Sequence, residues 1–246
     1  TCMYFGYPEL FMQFNKKPEF VYYPDWYRNI EYLQDLQRGD TYTEDLYVPG
    51  YFEMPIEKGE EILFSAGDIL VDTSTLADEF NFEIEKRTPR SSFYNCLKNS
   101  SHQFYYIPTQ DECYLLAGYP WFKVRARDQF IALPGCTIAV DKPNDFERIM
   151  DSAIPHLHDF MADKPSKGYL KQVEDPDVLL WVTWSLQQYW KERKEEFNKK
   201  YPAFLYEVID YITAGKHPNL VVDSDNGLLL TYGRDVAVSW MNATID

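Results

Sequence analysis

The sequence predicts an α+β chain. Residues 1–70 consist of short aromatic and aliphatic runs separated by Gly and Pro turn chemistry, the pattern of antiparallel strands. After about residue 72 the apolar residues recur at helical spacing. The two regimes meet at Gly67–Ser74, which divides the chain into a β domain over 1–72 and a helical domain over 73–246.

In the first domain, Met3–Phe14 is strand-like, with Gly6 and Pro8 interrupting it. Glu44–Met54 alternates around Pro49-Gly50, and Glu61–Ser65 is a short apolar run. Such runs suggest part of a β-sandwich. Between them, Pro24–Arg38 carries Tyr27, Ile30 and Leu33 at helical spacing and reads as a helix. In the second domain, Thr75–Arg87 is a candidate helix. Ser91–Tyr105 sets Phe93, Cys96, Leu97, Ser100 and Phe104 along one stripe. Ala126–Val140 follows a loop discussed below. Asp145–Met161 gathers Phe146, Ile149, Met150, Ala153, Ile154, Leu157, Phe160 and Met161 on one face, with Asn144 and Glu147 as a capping box and Pro155 inside. Asp175-Pro176 reads as an N-cap with proline at the first helical position, and Asp177–Arg193 as a helix apolar nearly all round. Pro202–Ala214 ends at Gly215. The segment Asn219–Asp246 reads as a hairpin turning at Asp225-Asn226-Gly227 and running into Trp240-Met241-Asn242. The strand-like start at Thr1 and the absence of a terminal helix or polar tail predict a partial chain.

The formal net charge of −15 disfavours phosphate backbones and anionic membranes as partners and is compatible with a neutral substrate. Cys2, Cys96, Cys113 and Cys136 form no CxxC pair and read as reduced thiols, which predicts a cytoplasmic protein. His102, His156, His158 and His217 are scattered, so no metal site is expected, and nothing calls for a cofactor. No run reaches membrane-span length, and no signal peptide opens the chain.

The stretch Ala117–Gly135, AGYPWFKVRARDQFIALPG, is the richest in chemistry. Trp121 and Phe122 offer flat apolar faces beside the hydrogen-bonding groups of Arg125, Arg127 and Asp128. That combination suits a sugar, with CH faces for stacking and hydroxyls for charged groups. It equally suits a buried aromatic loop around a structural Arg–Asp pair.

The same stretch resembles the motif that opens the catalytic domain of the bacterial and archaeal type of glycogen debranching enzyme, in which an AG-aromatic-x-W-F run leads to G-R-D-x-F-I-A-L-P-G. Three further stretches agree in order: Glu44-Asp45-Leu46 with Pro49-Gly50, Asp177–Trp181 as a D-x-x-L-W helix start, and Ser239–Ala243 (SWMNA) as T-W-M-D-A. The resemblance implies the C-terminal part of a β-sandwich followed by the first half of an (α/α)6 toroid. It implies hydrolysis of α-1,6-glucosidic branch points of glycogen-like glucans with inversion, which needs an acid and a base about 6.5–9.5 Å apart.

By similarity, Arg127 and Asp128 grip the non-reducing glucose, and Trp121 walls the same subsite. Asp177 and Trp181 lie on its rim, with Phe122 and Trp240 counted among the substrate-binding residues. An N-terminal helix charge is an equal account of Asp177. The family's general acid falls at Asn242, whose amide cannot donate a proton as a carboxylic acid does. Asp246 is then a candidate acid, and the base is expected after residue 246, so this chain alone is expected to be inactive. Ala126 and Arg125 also replace the family's Gly and aromatic. A non-catalytic glucan-binding or regulatory relative and a purely structural domain remain as alternatives. An open edge of apolar helices would favour self-association.

Overall fold

The structure, a computed structural model, describes residues 5–119, 122–165, 168–231 and 238–241. It is a mixed α and β chain of small antiparallel sheets and several helices. Two compact units divide between Arg87 and Thr88. The helix over 76–85 falls in the first, although the composition change at Gly67–Ser74 grouped it with the second.

In the first unit, β1 (Phe11–Phe14) pairs antiparallel with β4 (Phe64–Gly67), and β2 (Glu19–Glu31) with β3 (Thr43–Glu53). The helix expected over 24–38 is therefore wrong for most of its length: residues 24–31 are strand, and only α1 (Leu33–Arg38) is helical. Aromatic and β-branched residues at 20–27 favour the pleated ladder that β3 completes. Pro24, which has no N–H to donate, sits where the register shifts between Tyr22 and Asp25. Gly50, opposite Tyr22, has φ +150°, and a Cβ there would lie 2.2 Å from the Val21 carbonyl oxygen, so this pairing admits only glycine. Phe14 joins the two ribbons, its ring 5.0 Å from Phe52 and 4.8 Å from Phe64. The helix α2 (Leu76–Glu85) supplies Leu76, the one buried residue of this unit among those described.

The second unit holds the main core. Its elements are α3 (Phe93–His102), the hairpin β5 (Tyr105–Tyr106) and β6 (Tyr114–Leu115), α4 (Ala126–Cys136), α5 (Pro143–Met161), α6 (Val178–Glu192), α7 (Lys194–Lys200), α8 (Pro202–Thr213) and the hairpin β7 (Leu220–Val222) and β8 (Leu229–Thr231). Phe130 and Leu133 of α4, Phe146, Ile149 and Leu157 of α5, Val182 and Leu186 of α6, and Val208 of α8 are completely buried together. The α5 face is the one its sequence predicts, and Pro155 lies inside the helix without ending it.

Four local expectations are corrected. Ser92 caps α3 by accepting from the Asn95 N–H, but Phe93 and Leu97 of the expected stripe are exposed while Ser101 is buried. The capping box at Asn144 does not form. Instead α5 begins at Pro143, and Glu147 accepts hydrogen bonds from Tyr189 (2.6 Å) and Lys200 (2.9 Å). Next, α6 starts after Asp177 rather than at Pro176. It is also one-sided: Leu180, Thr183, Trp184 and Gln187 face a cleft of about 490 Å³ completed by Trp190, Phe197 and Leu205. The short helix α7, with Lys and Glu around a single buried Phe197, had no apolar period to announce it.

Candidate functional site

The first turn of α4 carries the chemistry. The chain enters it from β6 through a tight excursion: the Ala117 N–H bonds the Lys123 carbonyl, and the Phe122 N–H bonds the Gly118 carbonyl. Gly118 lies so close to the Phe122 ring that a Cβ would meet it at 2.7 Å. Phe122 is half exposed, with the Arg125 guanidinium 5.2 Å above its ring. Trp121, the predicted stacking wall, lies outside the described residues.

Two main-chain hydrogen bonds fasten a second loop to this turn. The Ala126 N–H bonds the Lys171 carbonyl at 2.9 Å, and the Lys171 N–H bonds the Val124 carbonyl at 3.2 Å. Ala126, which stands where the resembled motif has glycine, is the first helical residue and fully buried, and it is not among the residues with positive φ. A helical start needs no glycine freedom, so that departure leaves the backbone intact.

The pinned loop delivers Asp175 and Asp177 to Arg127. The Nε–H of Arg127 donates to both carboxylate oxygens of Asp177, at 2.8 and 3.0 Å. The Trp181 indole N–H, one turn along α6, donates to the same carboxylate at 3.1 Å. Trp181 in turn meets Trp184 edge-on at 5.4 Å. The Arg127 and Asp177 side chains are only 15% and 13% exposed, a mostly dry ion pair. On the other side of the guanidinium, Nη2 lies 3.0 Å from Asp175 Oδ2. That contact is an ion pair but not a hydrogen bond, and among the described residues the buried Nη2 has no hydrogen-bond partner.

Asp175 was read from sequence only as a cap, yet its carboxyl is held above the usual aspartate range. Burial raises it most, Arg127 opposes, and the charges of Glu174, Asp177 and Asp128 push it further up. The signal was the run Glu174-Asp175-Pro176-Asp177, which sets three acids around a helix start.

Asp128 points elsewhere: exposed, it lines the mouth of a cleft of about 260 Å³ walled by Phe104, Leu115, Leu116, Ala117, Ile131, Ala132 and Cys136. Gln129 is fully buried, and its Oε1 accepts from the Leu115 N–H at 3.0 Å, tying β6 to α4. The structure thus brings together Arg127, Asp175, Asp177 and Trp181, with Asp128 close enough for its charge to act on Asp175. Trp240 is largely exposed in the short segment 238–241. Asn242 and Asp246, the candidates for the acid, lie outside the described residues.

Among the described residues no group of three or more His, Cys, Asp and Glu could hold a metal, and no helix is long and apolar enough to cross a membrane.

Residues 1–63 match the family model for the N-terminal region of glycogen debranching enzyme. Residues 95–246 match the model described as amylo-alpha-1,6-glucosidase, which spans more than half of the chain and all of the Arg127 site. No curated protein and no solved structure matches the chain. With both models met in the order that its motifs suggested, the chain belongs to the glycogen debranching enzyme family, its helical unit to the amylo-alpha-1,6-glucosidase domain of that family.

Proposed function

We propose that the helical unit contributes the subsite for a terminal glucose in an inverting α-1,6-glucosidase acting on branched α-glucan. On this reading its helices belong to an (α/α)6 toroid and the strands of the first unit to a β-sandwich. The observation that carries it is the Arg127 arrangement. A guanidinium is fixed through Nε by Asp177, which is itself held by the Trp181 indole, while 15% of the arginine side chain stays open to solvent. Arginine presents a rigid planar fork, so fixing one edge aims the other. A donor aimed at a fixed point beside an indole is what a sugar hydroxyl needs for orientation.

The protein's own groups would divide the work as follows. Arg127 donates to a hydroxyl of the terminal glucose, and Asp128, at its cleft, accepts from another. Phe122 and Trp121 give the sugar an apolar wall, and Trp181 keeps Asp177 turned toward Arg127. Inversion requires a carboxylic acid at the leaving oxygen and a carboxylate base behind the ring. Asn242 occupies the family's acid position without an ionisable proton, and Asp246 is the carboxyl next to it in this chain.

Asn242 also favours a second reading: a glucan-binding relative without hydrolysis. One pair of measurements separates them. The intact product of the gene that carries this chain is incubated with a phosphorylase limit dextrin, and free glucose is assayed. In parallel, its mobility is followed in gels with and without glycogen. Retardation with glucose release is the expected outcome. Retardation without release selects the non-catalytic reading, and no retardation removes both.

A further inference from the structure

We infer that the cleft formed by α6, α7 and α8 is a second carbohydrate site, which holds a linear stretch of glucan against two indoles, Trp184 and Trp190. The inference takes its ligand, a neutral α-glucan, from the proposed function, but it does not depend on the Arg127 subsite.

The cleft has the size and access of a ligand site. Its volume is about 490 Å³, within the roughly 300–1,000 Å³ usual for small-molecule pockets. Leu180, Thr183, Trp184 and Gln187 recur at helical spacing, so one face of α6 forms the floor. Phe197 of α7 and Leu205 of α8 close the side. Trp184 and Trp190 are 37% and 39% exposed, so a ligand reaches both rings from solvent. At 1.5 Å per residue their positions differ by about 9 Å along the helix axis, so one extended ligand can meet both.

The lining selects the ligand's chemistry. Among the described residues that form the cleft none is charged, and the chain's net charge of −15 repels anionic polymers. Indole faces take the CH faces of a sugar ring. Two polar groups sit between the indoles. The Thr183 hydroxyl donates to the Leu179 carbonyl at 2.9 Å, which leaves its lone pairs as acceptors, and the exposed Gln187 amide both donates and accepts. A wholly apolar ligand would strip water from these groups and return no hydrogen bond, whereas sugar hydroxyls replace it. The indoles are also steadied in advance. Trp181 meets Trp184 edge-on at 5.4 Å, and the Lys194 ammonium stands 5.2 Å from the Trp190 ring. Rings held before binding lower the cost of ordering them. Because α6 contributes both Trp181 and Trp184, a glucan particle gripped at the cleft stays at high local concentration near the Arg127 site.

The test is indole oxidation by N-bromosuccinimide, mapped by peptide mass spectrometry, on the intact product of the gene that carries this chain, with and without saturating maltohexaose. Trp184 and Trp190 should oxidise in the free protein and be protected several-fold by the sugar. Protection of Trp121 alone overturns the inference and leaves the Arg127 subsite reading in force. Protection of Trp184 and Trp190 without Trp121 upholds the inference and counts against that reading. Protection at none of the three overturns both. Indoles at 184 and 190 that resist oxidation without sugar are covered by protein, from the same chain or a second copy, and that result also overturns the inference. The oxidation needs no variant, so a misfolded one does not spoil the test. In glycogen gels, Trp184→Ala and Trp190→Ala should each weaken apparent affinity about three- to tenfold, the effect of losing one aromatic contact. Wild-type affinity in both variants overturns the inference.

Discussion

Replacing Asp177 by Ala tests the centre of the site. The carboxylate accepts from Arg127 Nε through both oxygens and from the Trp181 indole. Both members of the ion pair are more than four-fifths shielded from water, so the interaction needs little discount for screening. Removing one member of such a pair costs about 3–5 kcal/mol, mainly because the surviving charge stays in a dry place. Asp175 remains 3.0 Å from Nη2 and compensates in part, which favours the low end, while the orphaned indole N–H adds about 1 kcal/mol. A loss of about 3–4 kcal/mol is expected. Urea unfolding monitored by tryptophan fluorescence reads it directly. Arg127→Met combined with Asp177→Leu should be much milder than Asp177→Ala alone, since an apolar pair leaves no buried charge behind. A cost below about 1 kcal/mol for Asp177→Ala, or strict additivity in that cycle, would refute the claim that the ion pair is dry and coupled.

Other consequences are measurable. Because the Asp175 carboxyl is raised above its unfolded value, its favourable contribution holds at low pH and is lost as pH rises through the folded value. Asp175→Asn should therefore raise the unfolding midpoint at pH 7 by more than at pH 3, and an equal effect at both would contradict the shift. His217, nearly fully buried against the Phe160 and Tyr211 rings with Nδ1 accepting from the Asn219 N–H, is held neutral by burial, below its ordinary 6.5. Stability should fall as pH drops below about 6.5, and His217→Gln should flatten that limb in thermal melts between pH 7 and 5. Gly118→Ala drives a methyl into the Phe122 ring and should cost about 1–3 kcal/mol in chemical denaturation, with the quantum yield of the neighbouring tryptophan as a second signal. An unchanged midpoint would show that the excursion at 118–122 yields without strain.

How much of this was readable from sequence depended on whether an element's partner lies nearby in the chain. The helix α5 was legible because its apolar residues repeat every three or four positions and the face they define is the face that is buried. The strand β2 was misread because Tyr27, Ile30 and Leu33 fit a helical period equally well. What decides the matter is pairing with β3, whose register no local window contains. The start of α6 lies at Val178 rather than Pro176 because Asp177, just before it, is recruited by Arg127, 50 residues earlier. That long-range demand overrides the local capping preference. Arg127, Asp128, Asp177 and Trp181 came from resemblance to a known motif. The separate destinations of Arg127 and Asp128 did not, since neighbouring side chains on a helix diverge by about a third of a turn. Asp175 escaped notice because a cap and an ion-pair partner look identical in one dimension.

The fastening of residues 168–177 to α4 has a practical corollary. The bonds at Val124, Ala126 and Lys171 use main-chain atoms alone, so they are indifferent to which side chains the loop carries. Gln172 even tolerates a left-handed φ of 59° there, a conformation that glycine would adopt with less strain. Lys171, Gln172 and Glu174 are exposed, so an engineer can vary these three positions broadly, keep Asp175 and Asp177, and expect the arginine's anchorage to survive most of the library.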